Sequence, residues 1–169
     1  KNGKDVYVEK PMCLTLKELE IIRKCYNESK EKGRNPILMV GFNRRFSPHI
    51  IKIKELLAKM NQPKSIVMTI NAGFLPSDHW INDEKIGGGR IIGEFCHFID
   101  LSLTLLGHTK IQNVECVKRD AHYQDTGNYI LNFEDGSKVN IDYRYDLPPS
   151  MPKENIIINL SNKTLKNNN

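Results

Sequence analysis

The sequence predicts an α+β fold, in which an open, mainly antiparallel sheet with helices packed on one face follows a short α/β segment. Three observations predict it. Strand-like runs at 111–117, 127–133, 138–145 and 155–160 succeed one another through turns, as antiparallel strands do. The stretch from Arg90 to about Leu106 is apolar on most sides, the pattern of a helix buried against a sheet. The opening segment runs strand, helix, strand, the order of an α/β unit.

Asp5-Val6-Tyr7-Val8-Glu9 is a β-branched and aromatic run that Lys10-Pro11 stops, because proline removes a ladder donor and restricts the residue before it. Thr15 and Glu18 have capping-box spacing, and Leu19, Ile22 and Tyr26 then share one helix face, so a helix is expected to end near Gly33. Ile37-Leu38-Met39-Val40-Gly41 is a continuous apolar run, expected as a strand buried on both faces. Ser47 as N-cap with Pro48 behind it opens a helix through Ile50, Ile53, Leu56 and Leu57. A strand is expected within 65–74, then a polar, glycine-rich loop from Pro76 to Gly89. In the following apolar helix the polar members Glu94, His97 and Asp100 stand out, since burying them has a cost that only specific partners offset. Glu134-Asp135-Gly136 is a hairpin signal, and the Asn- and Lys-rich end after Ser161 is expected to fray.

Bulk composition excludes several classes. A chain of 169 residues holds one main core, and 39% hydrophobic with 27% charged residues is an ordinary globular balance. No apolar run reaches membrane-spanning length, and the start lacks the apolar core of a signal peptide, so a cytoplasmic location is expected. The first residue is not methionine and a strand begins almost at once, which reads as a cut through a longer chain. The four cysteines, Cys13, Cys25, Cys96 and Cys116, form no CxxC pair and no zinc-like spacing, so no metal is expected. The net charge of +5 comes largely from mixed-sign stretches such as 17–34, which read as solvated helix faces; neither nucleic acid nor membrane is an expected partner.

Four groups of residues carry chemical potential. Glu9-Lys10-Pro11 ends a strand, where α/β folds place ligands and an ammonium group can polarise a hydroxyl or carbonyl; a solvated loop lysine is the alternative. Gly41-Phe42-Asn43-Arg44-Arg45-Phe46 brings two guanidinium groups out of the second strand, suited to a carboxylate or phosphate, or else to structural salt bridges. Gly87-Gly88-Gly89 permits close backbone approach to a ligand, or simply a tight turn. His97 lies three residues after Glu94 and three before Asp100, so a carboxylate neighbour can orient it as a base; the alternative is a hydrogen-bonded core histidine.

Taken in order, Glu9-Lys10-Pro11, the Gly41–Phe46 segment and Gly87-Gly88-Gly89-(x)7-His97-(x)2-Asp100 resemble the Gfo/Idh/MocA family of oxidoreductases. The resemblance implies that residues 1–45 are the end of a truncated dinucleotide-binding, Rossmann-type α/β domain, 46–160 an α+β substrate-binding domain, and 161–169 a polar tail. It implies NAD or NADP as cofactor, contacted by Glu9, Lys10 and Pro11, with most of that site upstream. It implies catalysis by Lys10 and by His97 as acid/base, with Glu94 and Asp100 supporting and Arg45, His79 and Trp80 lining the substrate site. The implied substrate carries a secondary alcohol on a sugar, cyclitol or nucleotide-sugar, and the sheet often mediates homo-oligomers. The sequence departs from the family pattern at Gly93, where an aspartate is usual four residues before the histidine; Glu94 is next in sequence but about 100° away around a helix. The glycine-rich nucleotide fingerprint is not in this sequence either. Both departures leave a non-catalytic substrate-binding or oligomerisation module of the same fold as the alternative.

Overall fold

A computed structural model of the chain describes residues 3–118, 126–160 and 164–168. The chain divides into two compact units: Lys1–Asn43 with Trp80–Cys96, and Arg44–His79 with His97–Asn169.

In the first unit, β1 (Val6–Val8) pairs in parallel with β2 (Leu38–Val40), Val6 opposite Leu38, and α1 (Leu16–Glu31) makes the crossover. The expected capping box is present: the Glu18 amide donates to Thr15 Oγ1, and the Glu18 carboxylate accepts from the Leu14 and Thr15 amides at 2.8 and 3.1 Å. The expectation that the second strand is buried on both faces does not hold. Ile37 is 64% and Met39 42% exposed, because a two-stranded sheet with one crossover helix supplies too little protein to cover both faces. Between α1 and the strands lies an open, apolar cavity of about 330 Å3, lined by residues such as Val6, Met12, Ile22, Cys25 and Ile37. A 3-10 turn, Trp80–Asn82, and a π-helical turn, Ile91–Phe95, complete the unit.

The second unit is a six-stranded open sheet ordered β4-β5-β6-β3-β7-β8, from β3 (Ser65–Asn71), β4 (Ile111–Lys118), β5 (Gly127–Phe133), β6 (Lys138–Arg144), β7 (Glu154–Asn159) and β8 (Thr164–Asn168). Only β3 with β6 is parallel among these pairings; the rest are antiparallel. Alternation sets the two faces of the sheet. Ile66, Met68, Ile70, Leu131, Val139, Ile141, Tyr143 and Ile158 are fully buried on one face. Val67, Thr69, Asn128, Ile130, Asn140 and Ile157 are half-buried on the other. The helices of this unit contribute to the same core, α2 (Pro48–Leu57) through Ile50, Ile53 and Leu57 and α3 (Cys96–Leu105) through Phe98, Leu101 and Leu105. Phe98 stands 6.2 Å from the Tyr143 ring, which fixes α3 against the buried face.

Three local expectations are corrected. Ser47 makes no side-chain cap, and its carbonyl accepts from the Ile51 amide instead; the proline behind it is where the sequence places it. The long apolar helix opens with the π turn, in which the Cys96 amide donates to the Ile91 and Glu94 carbonyls. The end of the chain is not simply frayed: Thr164–Asn168 pairs antiparallel with β7, Asn155 opposite Asn168. Edge pairing needs only backbone donors and acceptors, so polar side chains do not prevent it. Residues 161–163 and 169 of the polar tail lie outside the described residues.

Candidate functional site

The residues singled out in the sequence fall into a lysine group in the first unit and a histidine group in the second. Strand β1 delivers the lysine group. Beyond its last residue the side chain of Lys10 turns inward, half-buried, and Nζ donates to the Gly93 carbonyl at 2.5 Å. Glu9 points the other way and accepts from the Tyr7 phenol at 2.9 Å, a bond that pushes the phenol above its ordinary pKa. A Cβ at Gly41 would come within 2.8 Å of the Tyr7 hydroxyl and 2.9 Å of the Glu9 carboxylate, so the glycine after β2 is what gives that pair its space.

The triple glycine serves close packing. A Cβ at Gly87 would lie 2.3 Å from Cα of Ile81, and the Gly87 and Gly88 amides both donate to the Asp83 carbonyl, at 2.8 and 3.0 Å. Those two amides are turned into the loop rather than offered to a ligand. Glu94 accepts from the buried Arg90 at 3.2 Å, one α-helical turn back in sequence. Its carboxylate is therefore engaged, and it does not take the place of the aspartate that Gly93 lacks. At Gly93 an added Cβ would meet the Ile81 side chain at 2.8 and 2.9 Å and the Gly87 carbonyl at 3.1 Å, so this position does not accept an aspartate unless Ile81 moves.

In the second unit His97 is buried in the first turn of α3, with Asp100 one turn further on the same face and buried as well. Asp100 is held by Arg45 in a two-pronged ion pair, Nε to Oδ2 at 3.0 Å and Nη2 to Oδ1. Arg44 donates from Nε and Nη2 to one oxygen of Glu154, Oε1, at 2.9 and 2.6 Å, and lays its guanidinium 4.8 Å from the centre of the Phe98 ring. The two arginines that the sequence offers for an anionic ligand thus hold carboxylates of their own unit. His79 is half-buried, and Trp80, at the start of its 3-10 turn, is 58% exposed. Sequence reasoning missed two participants, the Gly93 main-chain carbonyl and Ile81. The visible signal was a glycine where the motif asks for a carboxylate.

No family model matches the chain. Among curated proteins it is 28% identical over 166 residues to inositol 2-dehydrogenase 2 of Saccharopolyspora erythraea, covering 86% of this chain and 44% of that protein. It is 28% identical over 131 residues to inositol 2-dehydrogenase of Rhizobium meliloti, covering 75% of this chain and 37% of that protein. The relatives it matches are Gfo/Idh/MocA-type oxidoreductases. The chain spans about half the length of these relatives, in their C-terminal part. The WlbA dehydrogenase of Thermus thermophilus, solved in complex with NAD and UDP-GlcNAcA, superposes with a TM-score of 0.75 at 20% identity, over 99% of this chain and 54% of that one. The chain therefore has the fold of about half of such a dehydrogenase.

Proposed function

We propose that this chain is the substrate-binding and catalytic part of an NAD(P)-dependent oxidoreductase that interconverts a secondary alcohol and a ketone on a sugar, cyclitol or nucleotide-sugar. The observation that carries the proposal is Lys10, a half-buried ammonium at the end of a parallel strand, fixed by one hydrogen bond to Gly93. An ammonium has three donors, so two remain among the described residues to bind a substrate oxygen. In the oxidation direction His97 is assigned the role of the base that takes a hydroxyl proton as the carbon loses hydride, and Lys10, separately, that of a cation able to stabilise negative charge on oxygen. The nicotinamide supplies the hydride acceptor, and Glu9-Lys10-Pro11 is the part of this chain assigned to its edge. On this reading residues 1–45 close a dinucleotide-binding domain and 46–160 form the substrate domain. Asp100, locked by Arg45, steadies α3 beneath His97, and the half-buried open face of the sheet pairs with a second copy.

The inositol dehydrogenases and the WlbA complex support this choice of substrate class, because their names point to polyhydroxylated rings. One observation favours a second reading, a non-catalytic module of the same fold: the usual aspartate is replaced by Gly93, where a side chain fits only if Ile81 moves. Turnover decides between them. The full-length protein, assayed for nicotinamide reduction against a panel of cyclitols and sugars, is expected to oxidise at least one of them. His97→Ala is expected to lower kcat by 100-fold or more, within the usual range for losing a general base of about 10²–10⁴. No turnover with any panel member, together with unaltered sugar binding in the His97→Ala protein, establishes the non-catalytic module.

A further inference from the structure

We propose that Gly93 is the positioning residue for Lys10, its main-chain carbonyl holding the ammonium in the absence of a carboxylate at that position. The inference deepens the functional reading above and rests on it for its catalytic consequence, but not for its geometry.

Three facts from the first unit carry it. The first is the contact, Lys10 Nζ to Gly93 O at 2.5 Å, between residues separated by 83 positions in sequence. A hydrogen bond from a cation to a carbonyl is charge-assisted, the stronger kind. Second, position 93 is sterically reserved: Ile81 Cγ1 and Cδ1 lie 2.8 and 2.9 Å from where a Cβ would be, and the Gly87 carbonyl lies at 3.1 Å. Ile81 is buried and Gly87 abuts its main chain, so this wall is braced from behind. Third, Gly93 sits in the π-helical turn Ile91–Phe95. Such turns alter the regular i to i−4 pattern and recur at functional sites, and here one of the carbonyls in the turn receives a side-chain cation.

Glu94, the nearest carboxylate along the chain, is bound to Arg90 and does not compete for the lysine. The Lys10 ammonium is therefore oriented by a neutral dipole. A carboxylate at position 93 would bring a full negative charge beside the ammonium and weaken its pull on a substrate oxygen. The carbonyl fixes direction without cancelling charge, which suits a group whose task is to polarise oxygen. The bulk of Ile81, by keeping a side chain off position 93, is part of the same device.

The test reads the lysine itself. In the full chain with ¹⁵N-lysine and ¹³C-carbonyl glycine labels, Lys10 is expected to give a slowly exchanging ammonium resonance with a scalar coupling to the Gly93 carbonyl. Gly93→Ala is expected to abolish the coupling and speed ammonium exchange at least tenfold, since the methyl group pushes against Ile81 and shifts the turn. Adding Ile81→Ala makes room for that methyl group and is expected to restore the coupling, an outcome that a purely structural glycine does not require. In the full-length enzyme Gly93→Ala is expected to lower kcat about tenfold, and the double variant is expected to recover. A wild-type Lys10 resonance with no coupling and fast exchange overturns the proposal, and the wild-type spectrum is decisive even if Gly93→Ala fails to fold. Coupling without any dehydrogenase activity leaves the positioning intact and removes the functional reading; activity without coupling does the reverse.

Discussion

The β1-α1-β2 unit and the six-stranded sheet are built from the same local signals, but they treat their apolar residues in opposite ways. In the sheet, every inward position from Ile66 to Ile70 and from Val139 to Tyr143 is fully buried. In the smaller unit Val6, Tyr7, Ile21 and Ile37 are each about half exposed or more, from 49% to 64%. A strand's sequence records how apolar its two faces are, whereas burial depends on how many neighbours and layers the fold places over them. The difference implies that the sheet carries the stability of the described chain and that the small unit carries ordered but weakly buried elements.

Substitutions in the two units turn that comparison into measurements. The largest effect is expected at Phe98, completely buried, set against the Tyr143 ring and beneath the Arg44 guanidinium. Phe98→Ala is expected to cost about 3–5 kcal/mol in chemical denaturation, the usual range for emptying an aromatic core site. Ile37→Ser, at the exposed residue just before β2, is expected to stay within about 0.5 kcal/mol. Equal costs at the two positions would erase the distinction between the units. A middle effect is expected at the Arg45 and Asp100 pair, whose side chains are 30% and 9% exposed. Arg45→Met strands a buried carboxylate, which in a fully buried pair costs about 3–5 kcal/mol; the exposure of Arg45 brings the expectation to about 2 kcal/mol. Asp100→Leu added to Arg45→Met is expected to recover much of that loss in a double-mutant cycle.

Much of this architecture was legible in the sequence because it depends on short-range rules. Alternation marked the strands of the sheet, Thr15 with Glu18 marked the start of α1, and the length and apolarity of the segment after Gly89 marked the buried helix. What was not legible depends on residues far apart. The parallel pairing of β3 with β6 joins Ser65 to Lys138, and no local pattern distinguishes it from another antiparallel neighbour. Strand β8 is built from Thr164-Leu165-Lys166-Asn167-Asn168, whose composition argues against a strand until an open edge is there to receive its backbone. At the candidate site the sequence identified Lys10 and His97 as the residues to watch, and it flagged Gly93 as a gap. It did not show that the gap has a use, because a main-chain carbonyl leaves no trace in residue identity. Nor did it show that Arg45 is committed to Asp100, 55 positions away.

The smallest effect expected belongs to the small unit and depends on pH. Glu18 is exposed, and its hydrogen bonds outweigh a small opposing desolvation: the Leu14 amide first and the Thr15 amide next hold its carboxyl below the ordinary glutamate range. A depressed carboxyl stabilises the folded state above its unfolded pKa and loses that contribution as pH falls through the folded value. Near neutrality the capping box is therefore intact, and its electrostatic part fades in acid, as pH falls from the range where free glutamate titrates down through the lowered folded value. Glu18→Gln keeps the shape and an acceptor oxygen but removes the charge at the positive end of α1. Amide exchange at Leu14 and Thr15 is the appropriate probe, since it reports the helix start rather than the global unfolding that the sheet dominates. Exchange in Glu18→Gln is expected to exceed that of the unaltered chain at neutral pH, and the two curves to converge as acid protonates Glu18. A gap that persists unchanged into acid would mean that the start of α1 is held by the Thr15 hydroxyl and packing alone, with no contribution from the charge.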